Sequence, residues 1–331
     1  MSDFYALEVI EKAIEDTKKL FKPFSFKNWL KMVLLMVFVG GGLNSFFRIS
    51  DIISDLGEQV FNLGAQTDGS IAFEGVSQGV TGFVGAQEFT RTGLFALLII
   101  SFFGIVIAWI ICSRIMEFVF VKICETKKIS ILNNFKSNIK NGLSLFGFNV
   151  LMFLFTILLI TIPFGLFFLG IEPIPVIIIS ILIILPFMIV LSLVSMFTID
   201  FVIVRMLDKE KNLIESWKDV LKMLRDEWKQ TIVYILMKIA LGIVTGIITF
   251  ILLFVLMIPI LLIGVFLAII TYLIFTNFTV LGIIMGVLSG LIVLLILLLV
   301  LLSIEVLIQT FFRYFSIRVY EKFSDIDFVK G

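Results

Sequence analysis

Histidine is absent from the 331 residues of this chain. Its absence removes the commonest general base and the commonest metal ligand. Charge is scarce as well. Asp, Glu, Lys and Arg together make 15% of the residues, where a soluble globular chain carries about a quarter. The two cysteines, Cys112 and Cys124, are too few for a disulfide framework and match no metal-ligand spacing, so they read as reduced, inert thiols. What fills the space is apolar: 60% of the residues are hydrophobic, 37 are Phe, and the mean hydropathy is +1.16. This composition excludes a soluble enzyme, a disordered chain and a disulfide-stapled secreted domain. It leaves a polytopic helical membrane protein.

The net charge is +1, so no global field recruits nucleic acid. The first 28 residues carry both signs of charge and lack an apolar core followed by a small-residue cleavage site. The expectation is that no signal peptide is cleaved and that the first span is its own insertion signal.

Long uncharged apolar runs predict six spans, near 29–47, 93–112, 145–170, 174–199, 231–258 and 280–304. Twenty-three of the 26 Lys and Arg residues fall in the N-terminal arm, in 113–144, in 200–229 and in 305–331. The positive-inside rule places these segments and both termini in the cytoplasm of a cell-membrane protein. Residues 48–92 then form an extracellular loop, rich in Gly and acidic residues. Between Lys238 and Glu305 lie 66 residues with no charge. Two spans there are too long for a hydrocarbon core of about 30 Å. Either the helices tilt or overrun the membrane, or 259–278 forms an extra half-helix with joints at Pro259 and Thr276-Asn277.

The chain reads as one unit used three times: about 5–126, 127–208 and 209–322. Each unit is an amphipathic helix, a span out and a span back. The apolar faces predicted for the three lead-in helices are Leu7, Ile10, Ile14, Thr17 and Phe21; Leu132, Phe135, Ile139, Leu143 and Phe146; and Leu213, Trp217, Val220, Leu221, Leu224 and Trp228. Such helices are expected to lie in the cytoplasmic interface. The fold class is therefore all-α: a membrane bundle of six transmembrane helices with three interfacial helices and a pseudo-threefold repeat.

The returning spans end alike. Residues 117–122 read Glu-Phe-Val-Phe-Val-Lys, 200–205 read Asp-Phe-Val-Ile-Val-Arg, and 313–318 read Arg-Tyr-Phe-Ser-Ile-Arg. Quasi-equivalent helices bring Glu117, Asp200 and Arg313 to one depth. Ionisable groups at membrane depth face the interior and pair, because an unpaired one costs several kcal/mol in lipid. With Glu305 and Lys238, themselves a possible pair, they make a candidate polar cluster for binding. The competing reading is ordinary charge marking the ends of spans.

Gly242 and Gly246 in span 5, with Gly282, Gly286 and Gly290 in span 6, have the spacing that lets helices approach closely in lipid. They predict packing of the two spans, or a homo-oligomer or partner contact. The Gly40-Gly41-Gly42 run lacks the strand, spacing and Lys of a nucleotide loop and predicts the end of span 1. Without His there is no Ser/His pair and no His-ligated zinc. No Walker motif is present, and no enzyme activity, metal or cofactor is expected.

The stretch Glu117-Phe-Val-Phe-Val, the helix after it and Leu143-Ser-Leu-Phe-Gly-Phe148 resemble an uncharacterised archaeal family of polytopic membrane proteins. Ala13-Ile-Glu-Asp-Thr-Lys-Lys-Leu-Phe-Lys-Pro-Phe24, then Trp29-Leu-Lys and Val39-Gly-Gly-Gly42, resemble that family's N-terminus. More loosely, the repeated arrangement is similar to the membrane domain of glycerophosphodiester phosphodiesterases. No segment of this sequence corresponds to their catalytic barrel, so the resemblance implies architecture and not activity. Two functions are therefore expected to compete. One is a membrane- or lipid-associated scaffold or complex subunit. The other is a transporter or channel for a small or lipophilic solute that uses the polar cluster, with spans interrupted at Pro163 and Pro259.

Overall fold

The structure is a computed structural model and describes residues 4–39, 88–168 and 173–329. Among the described residues there is no strand. Hydrocarbon offers backbone N–H and C=O groups no partner, so an apolar chain satisfies them within helices. The order is α1 (Tyr5–Leu20), α2 (Phe26–Phe38), α3 (Glu88–Thr126), α4 (Ile131–Ser137), α5 (Ile139–Phe168) and α6 (Pro173–Phe197). A π-helical turn, Thr198–Val202, joins α6 to α7 (Ile203–Lys209). The chain then runs through α8 (Leu213–Asp226), α9 (Trp228–Asn277) and α10 (Thr279–Ser324).

Among the described residues, five stretches are long and apolar enough to cross a membrane: Ile100–Thr126, Ile139–Leu159, Leu182–Lys209, Trp228–Asn277 and Thr279–Ser324. The predicted span at 29–47 is seen as the 13-residue α2. Residues 40–47, the Gly40–Gly42 run and most of the 48–92 loop lie outside the described residues. The loop prediction is corrected at its end, because α3 already begins at Glu88.

The uncharged 66-residue region resolves into a hairpin, not into a separate half-helix. α9 has 50 residues and α10 has 46, so α9 is about 75 Å long at 1.5 Å per residue. Pro259 sits inside α9, and α5 runs unbroken through position 163. The expected interruptions at Pro163 and Pro259 are thereby corrected: a proline loses one N–H bond, and the flanking ladder carries the helix on. The only joint is at Phe278, where Gly282 lies so close to α9 that an added Cβ would stand 2.4 Å from the Phe275 Cα. Gly142 plays the same part between α5 and α3, with an added Cβ 2.8 Å from the Ile115 Cα.

Burial is concentrated at one end of the bundle. Phe118–Val121, Phe201–Val204 and Tyr314–Tyr320 are almost wholly enclosed, and α1, α2 and α8 pack onto them. Beyond that end the helices are mostly exposed, with Phe250, Phe254, Leu262 and Phe266 each at least 65% accessible. Water would leave so much apolar surface uncompensated, whereas lipid makes it a favourable exterior.

The apolar faces predicted for the lead-in helices are divided: part of each stays exposed and part of the third is buried against the bundle. α1 encloses Ala6, Val9, Ala13, Asp16 and Leu20 and leaves Leu7 and Ile14 exposed. Small residues let α1 approach α10 closely, and Arg318 reaches Asp16 from that side. Leu132, Ile139, Leu143, Ile214, Leu221 and Trp228 are likewise exposed, while Leu145, Leu213, Val220 and Leu224 are buried. Residues 213–226 form a helix of 14 residues, too short to stand across a bilayer.

Candidate functional site: a cavity lined by two ion pairs

At the edge of the packed end, a cavity of about 340 Å³ is lined by Glu117 of α3, Asp200 of the π-helical turn, Lys238 of α9 and Arg313 of α10. Val39, Met196, Ile199, Gly242, Gln309 and Phe312 complete its wall. The cavity lies at a boundary, because Lys238 is the last charge on α9 before the uncharged length begins.

Two ion pairs hold the walls, one buried and one half-buried. Arg313 donates to Glu117 Oε2 at 2.5 Å and to the Ile199 carbonyl at 2.7 Å. Its guanidinium lies 5.3 Å from the centre of the Phe120 ring, an attractive placement of cation over π-face. Asp200 takes Lys238 as its ion partner. It also accepts from Tyr234 at 2.8 Å and from Ser316 at 3.1 Å. The π-helical turn inserts one residue into the ladder, and such turns recur at functional sites. Here it carries both Asp200 and the carbonyl that anchors Arg313.

One acceptor is left over. Glu117 is 1% exposed, and its Oε1 has no hydrogen-bond partner in the structure. A buried carboxylate oxygen without a donor is costly enough to need an occupant.

The structure brings together Glu117, Asp200, Lys238 and Arg313 of the five residues read from sequence. Glu305 stays outside the cavity wall, where its carboxylate accepts from Gln309 at 2.7 Å. The possible Lys238–Glu305 pair is thus corrected: Lys238 turns to Asp200. Tyr234 and Ser316 were missed by sequence reasoning. Helical spacing held the signal, since Tyr234 is one turn before Lys238 and Ser316 three residues after Arg313.

The last positions of the three similar segments each join an ion pair. Lys122 meets Glu125 at 2.8 Å, Arg205 meets Asp219 at 2.9 Å, and Arg318 meets Asp16 at 2.6 Å. Asp219 lies on α8, outside the long apolar helices. The hydrogen bond from Lys211, then that from Arg205, holds its carboxyl below the usual carboxylate range. A depressed carboxylate contributes stability above its unfolded-state value and loses it as pH falls through the folded one. We therefore expect Asp219→Asn to lower the unfolding temperature at neutral pH. The gap to the wild type should close as pH drops through and below the ordinary carboxylate range, in thermal unfolding followed in detergent. A gap that is constant with pH would contradict this.

A chain whose described residues are helical and include five helices of membrane-crossing length and apolarity has the make-up of an integral membrane protein. The chain belongs to a family of unknown function, DUF7544, which matches residues 4–327. No curated protein and no solved structure matches it.

Proposed function

We propose that this is a non-enzymatic multi-pass membrane protein that binds a small or lipophilic solute in the cavity, as the binding step of a carrier. One observation carries the reading: ionisable residues from four separate segments converge on one cavity, and the most buried of them keeps an unpartnered oxygen. Charges that only marked the ends of spans would splay outward.

The topology that accompanies this reading has both termini in the cytoplasm of a cell-membrane protein, with the apolar run 29–47 counted as one of six spans. The exposed stripes on α1, α4–α5 and α8 support lead-in helices that lie on the membrane surface. The three similar segments, with their first positions in one cavity and their last in ion pairs, support a threefold construction. The resemblance to an uncharacterised archaeal family and, more loosely, to the membrane domain of glycerophosphodiester phosphodiesterases is in keeping with that reading. Added Cβ atoms at Gly242, Gly246 and Gly290 would meet nothing within 4 Å, which leaves these positions open to a partner helix. Gly282 and Gly286 face Phe275 and Thr271 within the hairpin.

A scaffold or complex subunit is the second reading. It is favoured by the completeness of the Asp200 network, which braces α6, α9 and α10 without help from a ligand.

The test is ligand-dependent stabilisation of the purified protein, screened with amines, polyols, phosphate esters and lipid extracts. A ligand at 100 times its Kd should add about 2.7 kcal/mol, and Lys238→Ala should abolish the shift. Shifts that survive in Lys238→Ala, or a screen without any shift, would reject the cavity as the site.

A further inference from the structure

Beside the polar cavity runs an apolar groove of about 650 Å³. Ile184, Leu185, Met188, Ile189 and Leu193 of α6 line it with Ile239 of α9, and its serines are Ser180 and Ser192. Groove and cavity share no lining residue but neighbour each other along both helices. On α6, Met196 of the cavity wall stands one helical turn beyond Ser192 of the groove wall. On α9, Ile239 of the groove follows Lys238 of the cavity.

We infer that the occupant is a single phospholipid, with its headgroup in the cavity and one acyl chain in the groove. The inference rests on the binding reading above and adds the class of ligand. Ile184 to Met196 spans about 18 Å of helix, close to one leaflet of a hydrocarbon core of roughly 30 Å. The apolar groove therefore has the depth of a single chain and ends where polar groups begin.

The cavity also selects among headgroups. Glu117 and Asp200 balance Lys238 and Arg313 in formal charge, so the lining favours a zwitterion over a net anion. The free Glu117 Oε1 requires a donor, and because the side chain is enclosed it must turn toward an incoming headgroup to receive one. The Lys238 side chain is 23% exposed, and an ammonium has three N–H donors, enough to serve a phosphate oxygen as well as Asp200. A phosphate bearing a primary ammonium meets both demands. A trimethylammonium has no N–H and cannot serve Glu117. Phe250 and Phe254 line neither the groove nor the cavity, so lipid against them is expected to be ordinary boundary lipid.

The experiment uses the full chain in nanodiscs and a phosphatidylethanolamine with a photoreactive group in its acyl chain, with adducts mapped by peptide mass spectrometry. The expected result is labelling of 184–193 and Ile239 several-fold above labelling near Phe250 and Phe254. Unlabelled phosphatidylethanolamine should displace the probe about tenfold better than phosphatidylcholine does, the effect of one charge-assisted hydrogen bond. Ile189→Trp fills the groove and should remove the excess labelling there, while soluble glycerophosphoethanolamine still stabilises that variant. Uniform labelling, or equal competition by phosphatidylcholine, overturns the inference. If glycerophosphoethanolamine stabilises the wild type while labelling is uniform, the cavity binds a soluble ligand and only the lipid assignment falls. If neither probe binds, both readings fall.

Discussion

Arg313→Met is expected to lose about 3–5 kcal/mol of stability, the usual result of stripping one partner from a buried ion pair. The reason is the state in which it leaves Glu117. That carboxylate is 1% exposed, and Arg313 is the donor to its Oε2 while Oε1 has none. Without the guanidinium, a full charge stands among the enclosed faces of α3 and α10, and the Ile199 carbonyl loses a donor too. The double variant Glu117→Leu with Arg313→Met should recover most of the loss. Paired charges that already bear the cost of desolvation are often replaced by apolar residues without penalty. Thermal or denaturant unfolding in mild detergent gives the four corners of a double-mutant cycle. A single variant within about 0.5 kcal/mol of the wild type would mean that water reaches the pair. A double variant as unstable as the single would mean that the two residues do not act as a unit.

The second large effect belongs to Gly282. An alanine there would put its Cβ 2.4 Å from the Phe275 Cα and 2.9 Å from the Phe275 nitrogen. Both are backbone atoms, so no rotamer change relieves the contact, and the two arms of the hairpin must part. Overpacking of this kind costs about 1–3 kcal/mol. Gly282→Ala should also expose the turn at 276–279 to added protease. Gly290→Ala is the matched control on the same helix. Its Cβ would meet nothing within 4 Å, and Ala is the better helix former by about 1 kcal/mol, so that variant should be neutral or slightly more stable. If both variants behave alike, the hairpin does not close as tightly as Gly282 implies.

Much of the architecture was legible because lipid is a simple solvent. It demands satisfied backbones and tolerates little charge, so uncharged length alone pointed to the long helices. The cluster was legible for a related reason: Glu117, Asp200 and Arg313 hold the same place in three similar helix ends. Partner choice was not legible in that way. Lys238 is drawn to Asp200 and not to Glu305 because of how far α9 is rotated against the π-helical turn. α1 buries Asp16 and Ala13 in place of Ile14 because a helix chooses its inward face by what it meets, and α1 meets Arg318.

The amino-acid sequence by itself determined long apolar helices with few ionisable groups along their length. That much follows from one-dimensional quantities, length and transfer free energy. Only the tertiary structure decided that Arg318 donates two hydrogen bonds to one oxygen of Asp16, 302 residues away, and that Glu117, in the cavity wall, keeps one oxygen without a donor. Such pairings depend on the rotation and depth of each helix, which side-chain packing between helices sets and a periodic pattern along one helix does not contain.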